Sequence, residues 1–74
     1  MTYAIAYANP DGSDFHGNPW LEADFPTFQS AEQHRQRWFS GQRSFVFLIP
    51  DDYEDFTKII TWEYAESHRV DKEG

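Results

Sequence analysis

Five apolar residues in a row, Phe45-Val46-Phe47-Leu48-Ile49, constrain this chain more than any other stretch. Pro50 closes the run, and the polar stretch Gly41-Gln42-Arg43-Ser44 opens it. A run this short, rich in aromatic and β-branched side chains and bounded by punctuating residues, predicts a central strand covered on both faces. Alternation sends Phe45, Phe47 and Ile49 one way and Val46 and Leu48 the other. One short helix covers only one of those faces. The second needs the loop around Phe15, the tail of the chain, or another molecule.

The rest of the chain is arranged around that strand. Thr2 to Ala8 alternates Tyr3, Ile5 and Tyr7 with Ala4, Ala6 and Ala8, a period of two that predicts a strand with a bulky core-facing side and a smooth alanine side. Asn9-Pro10-Asp11-Gly12 carries turn chemistry. Trp20-Leu21-Glu22-Ala23-Asp24-Phe25 alternates again, with Leu21, Ala23 and Phe25 expected inward and Trp20, Glu22 and Asp24 outward. Flanking prolines and outward acids mark it as an edge strand, hairpinned to the first. Ser30-Ala31-Glu32-Gln33 reads as a capping box that opens a helix of about three turns, stopped at Gly41 and packed chiefly through Trp38.

The last element reads two ways. As a strand, Ile60, Trp62 and Tyr64 face inward, and the β-preferring residues Thr57, Ile59, Ile60, Thr61 and Trp62 favour this form. The acidic run Asp51-Asp52-Tyr53-Glu54-Asp55 then forms a hairpin tip. The alternative is a helix over Asp52–Glu66. The expected fold class is α+β, a β-β-α-β-β domain with a four-stranded antiparallel sheet and one helix packed on one face, or β-β-α-β-α under the alternative. Residues 1–74 form one domain, with a polar, fraying tail from about residue 66.

Seventy-four residues lie near the lower limit for a core without disulfides or metal, and seven Phe, four Tyr and three Trp offset the short length. With no cysteine there is no disulfide, zinc–thiolate site or thiol nucleophile, which suits a reducing cytoplasm. Neither a targeting segment nor an apolar run long enough for a membrane span is read at the amino terminus or elsewhere. Thirteen acids against six Lys and Arg give a net charge of −7. Such a surface repels phosphates and anionic lipid and attracts basic protein surfaces.

Sites for chemistry are sparse. Asp51, Asp52, Glu54 and Asp55 fit no dedicated cation loop. His16, His34 and His68 lack ligand spacing, and Glu22 with Asp24 have no cleft in which to act as acid and base. No serine sits in a strand-to-helix elbow, and no glycine-rich phosphate loop occurs. Arg35, Arg37 and Arg43 make a positive patch too small for direct nucleic-acid binding. The expectation is therefore no enzyme, no cofactor and no metal.

The expected function is a non-enzymatic acidic interaction module that inhibits a partner by occupying its basic nucleic-acid-binding surface. Asp51, Asp52, Glu54, Asp55, Glu22, Asp24 and Glu63 would be its contact residues. In composition alone, covering no motif, the chain is similar to small acidic DNA-mimic inhibitors of phages and mobile elements, anti-restriction and anti-CRISPR proteins among them. The alternative is a structural or regulatory homodimer that pairs through the apolar sheet face.

Overall fold

The computed structural model describes residues 2–49 and 60–71. Strands β1 (Thr2–Tyr7), β2 (Trp20–Phe25) and β3 (Ser44–Ile49) form an antiparallel sheet in the order β2-β1-β3. Helices α1 (Phe28–Phe39) and α2 (Trp62–Ser67) complete the chain order β1-β2-α1-β3-α2. The α+β class matches the expectation, whereas a fourth strand is absent among the described residues.

The middle strand is β1, not the apolar run in β3. β3 nevertheless has a neighbour on each side. Residues 68–70 run along its outer edge, where the Leu48 amide donates to the His68 carbonyl and the Val70 amide to the Val46 carbonyl, both at 3.0 Å. The segment expected to fray is thus a strap. It also carries Val70 round to the α1 side of the sheet.

Cross-strand register explains how so short a chain covers both sheet faces. Ala4 stands opposite Phe47 and Ala6 opposite Phe45, so each large ring on β3 has a small neighbour on β1. These residues and Ile49 pack with Ile60 and Ala65, flanked by Trp62 and Tyr64. On the other face Ile5 and Val46 meet Ala31 of α1, bordered by Tyr3, Tyr7, Phe25, Phe28, Phe39 and Val70. The sheet lies between two helices. Ile60 and α2 supply, within the chain, the cover that the second face was expected to need.

The expected inward set does meet this core, but Ile60 does so from just before α2, and Trp62 and Tyr64 from a helix instead of a strand. Thr61 has extended backbone, and its hydroxyl accepts the Tyr64 amide at 3.0 Å, which caps the helix. Glu63 stands in the first turn, where a negative charge complements the helix dipole. Ala65, fully buried, lets α2 lie close to the sheet. The local cap and close alanine packing prevail over the β-propensity of Trp62 and its neighbours. The acidic hairpin tip and residues 52–59 of the helical alternative lie outside the described residues.

Helix α1 begins earlier than expected. Thr27, not Ser30, is the N-cap: its hydroxyl accepts the Ser30 amide at 3.1 Å, and the Ser30 hydroxyl receives the Thr27 amide at 3.4 Å. The helix then buries Ala31 and packs Phe28 and Phe39, three turns apart on one line, against the sheet. Trp38 falls about 80° to one side of that line. It is 60% exposed, so it is not the residue through which α1 packs.

β2 departs from simple alternation. Between the Ile5–Glu22 and Tyr3–Phe25 pairs, β1 advances two residues and β2 three, which is a β-bulge. Asp24 takes up the extra residue at φ 71°, in the left-handed region that aspartate tolerates better than most side chains. The bulge resets the alternation. Trp20, Glu22 and Phe25 lie on the α1 side, while Leu21 faces the other way and is 39% exposed, contrary to the inward set Leu21, Ala23 and Phe25.

Candidate functional site

The loop between β1 and β2 is held by its own acids. Asp11 accepts the amide and hydroxyl of Ser13, at 2.9 and 2.6 Å. His16 and Gly17, both at positive φ, form a tight turn closed by paired Phe15 and Asn18 backbone bonds. Asp14 joins this loop to the opposite end of the chain. One carboxylate oxygen accepts the Gly17 amide at 3.0 Å, and the other accepts the Trp62 indole N–H at 3.0 Å. The Trp62 ring is sandwiched further, with the Arg43 guanidinium 3.7 Å from its centroid and Phe45 beside it.

The indole bond above all, then the Gly17 amide, holds the Asp14 carboxyl below its ordinary value of 3.8. A folded-state pKa below the unfolded one means stabilisation that is complete above the unfolded value and lost as pH falls through the folded one. The difference in urea midpoint between the wild type and Asp14→Asn should therefore be full at neutral pH and should close progressively below about pH 4. A difference that stays constant down to pH 2 would contradict this role for the charge.

The seven acids expected to form a contact surface fall in different places. Asp51, Asp52, Glu54 and Asp55 lie outside the described residues. Glu63 is exposed on α2, on one side of the sheet. Glu22 and Asp24 sit on the β2 edge, and Glu22 points to the α1 side, where its Oε2 is 3.3 Å from His34 Nε2. The structure therefore brings Glu22 and Asp24 together on one strand and places Glu63 on the other helix.

The arginines paired with carboxylates lie on one side of the molecule, while Arg37 lies over Trp38 on α1. Arg35 pairs with Glu32 and donates to Ser44 Oγ. Arg69 lies between Glu66 and Asp71, and Arg43 is 3.9 Å from Glu66. These pairs gather at the β3 end of the sheet, around a cavity of about 160 Å³ lined by Glu32, Arg35, Ser44, Arg69 and Asp71 among others. Its charges are matched within its own wall. On the β2 side, neither Glu22 nor Asp24 has an arginine partner among the described residues.

Between β2 and α1 runs a seam of half-exposed rings. Trp20 stands opposite Tyr7, which stacks on Phe39 at 4.1 Å. His34 touches Phe25, Trp38 and Phe39 as well as Glu22. Burial pushes the Tyr7 hydroxyl above its ordinary value, and the negative charge of Glu22 adds to the shift. Trp20 and Phe15, with ring centroids 4.9 Å apart, extend the seam towards the loop. Sequence reasoning placed Trp38 in the core because the helix was started three residues late, which left Phe28 out of its apolar line. A search for Thr-x-x-Ser as a capping box puts Phe28 inside the helix, in line with Phe39.

Among the described residues, no three potential metal ligands come together and no helix is long and apolar enough to cross a membrane. The class defined by these observations is a small α+β domain with a three-stranded antiparallel sheet between two helices. No known protein family, no characterised protein and no solved structure shows significant similarity to the chain.

Proposed function

We propose that the protein is a non-enzymatic interaction module that binds a basic surface of another protein, in the manner of a nucleic-acid mimic, and inhibits that partner by occupying the surface. The observation that carries this reading is the uneven neutralisation of its acids. The chain has a net charge of −7, and Arg35, Arg43 and Arg69 are consumed by carboxylates at the β3 end. Glu22, Asp24 and Glu63 are left without arginine partners among the described residues, and the sequence adds Asp51, Asp52, Glu54 and Asp55. Unneutralised carboxylates on a rigid scaffold attract basic surfaces from a distance and lose that attraction as salt rises.

The test is affinity capture from the native host's lysate at two salt concentrations, followed by binding measurements on the captured protein. A basic nucleic-acid-binding protein recovered only at low salt is the expected result. Asp51→Asn, Asp52→Asn, Glu54→Gln and Asp55→Asn combined should flatten the salt dependence of its affinity. An unchanged salt slope would remove the mechanism. The homodimer reading gains no observation, because the apolar sheet face on which it relied is packed against Ile60 and α2.

A further inference from the structure

We propose that the seam between β2 and α1 is where the basic partner docks, with Trp20 and Trp38 as aromatic anchors and the Glu22 and Asp24 carboxylates receiving its arginine or lysine side chains. This rests on the reading above that the partner is a basic protein, and it adds the contact face. Four large apolar side chains stand out among the described residues: Trp38 is 60%, Phe15 42%, Leu21 39% and Trp20 37% exposed. Three of the four belong to the seam or its end. Trp20 stands opposite Tyr7 of the stacked Tyr7–Phe39 pair, and His34 lies near both Phe39 and Trp38, so the two indoles flank one ring cluster, one from the sheet and one from the helix.

Their surroundings supply the chemistry. Glu22 lies two residues beyond Trp20 on the same face of β2, and His34 lies one turn before Trp38 on α1. The Glu22–His34 contact therefore bridges the two indoles. A cationic side chain laid on an exposed indole gains a cation–π interaction, and a carboxylate beside the ring completes the match. Arg37, the residue before Trp38, lies 5.3 Å from its ring centroid, an internal cation–π contact whose place a partner's guanidinium would take. Tryptophan on one partner and arginine on the other are also the residues in which binding energy concentrates.

Charge selects the occupant. A second copy would bring another −7 towards the first. Self-pairing of β2 edges would also set Glu22 and Asp24 near their own counterparts, and like charges across strands destabilise. A basic surface meets neither obstacle.

A nine-residue arginine peptide serves as the probe, titrated calorimetrically at low salt against the full chain. Trp20→Ala with Trp38→Ala should weaken binding at least about tenfold while circular dichroism stays native, since both rings are exposed. Glu22→Gln with Asp24→Asn should weaken it as well. Wild-type affinity in the double tryptophan variant, lost instead when residues 51, 52, 54 and 55 are neutralised, would overturn the seam and leave the interaction reading standing. Absence of binding by the wild type would overturn both. Concentration-dependent dimerisation that disappears in the double tryptophan variant would overturn the basic partner in favour of a second copy.

Discussion

Phe47→Ala is expected to leave much of the protein unfolded at room temperature. Phe47 is fully buried and stands opposite Ala4, whose methyl cannot fill the space that the ring would vacate. It packs among Phe45, Ile49, Ile60 and Ala65, so its loss undercuts the contact between the sheet and α2. Truncating a buried phenylalanine costs about 3–5 kcal/mol. A domain this small sits near the bottom of the usual range of about 5–15 kcal/mol. Urea denaturation followed by circular dichroism should show the midpoint fall by most of its wild-type value or lose a native baseline altogether. Trp38→Ala, a larger deletion from an exposed position, should change stability by no more than about 0.5 kcal/mol. Equal losses from the two variants would mean that α1 packs through Trp38 after all.

Trp62→Ala is expected to be the next most damaging change, by about 3 kcal/mol. Trp62 is the first residue of α2 and the point where three distant parts of the chain meet. Its indole N–H donates to Asp14 in the β1–β2 loop, its face lies under Arg43 from the turn before β3, and its edge approaches Phe45. Removing it releases α2 from the face of the sheet that bears Phe45, Phe47 and Ile49. Besides a lower urea midpoint, the variant should bind a hydrophobic dye that the wild type does not, as apolar surface becomes accessible. Trp62→Phe keeps the ring and deletes the donor, so it should lose less and should flatten the acid dependence attributed to Asp14. A Trp62→Ala protein with wild-type stability and no dye binding would show that α2 is not what covers this face.

Much of the fold was legible in local pattern. β1 and β3 were readable because the side-chain period of a strand is two and both strands keep it without interruption, as Ala4 and Ala6 against Ile5, and Phe45 and Phe47 against Val46, show. The β1–β2 hairpin was readable from its turn chemistry, and α1 from its polar and apolar spacing. Misreadings arose where one residue changes the count. Asp24, in its left-handed bulge, shifts β2 by one and puts Leu21 and Phe25, expected on one face, on opposite faces. Moving the N-cap from Ser30 to Thr27 brings Phe28 onto the buried line and takes Trp38 off it. The contact surface fared similarly: Glu22 and Asp24 were found as acids on an edge, but the aromatic seam beside them was not, because it joins β2 to α1 across a dozen residues.

The amino-acid sequence by itself determined the strand-forming segments, the helix between them and the excess of negative charge, since each depends on neighbours a few positions away. Only the tertiary structure decided that α2 closes the second face, that residues 68–70 border β3, and that Arg35, Arg43 and Arg69 pair with carboxylates at the end of the sheet away from Glu22 and Asp24. Those outcomes depend on which distant surfaces fit together, Ala4 and Ala6 making room for rings and Asp14 reaching Trp62, and a side chain's partner across the fold leaves no mark on its own stretch of chain.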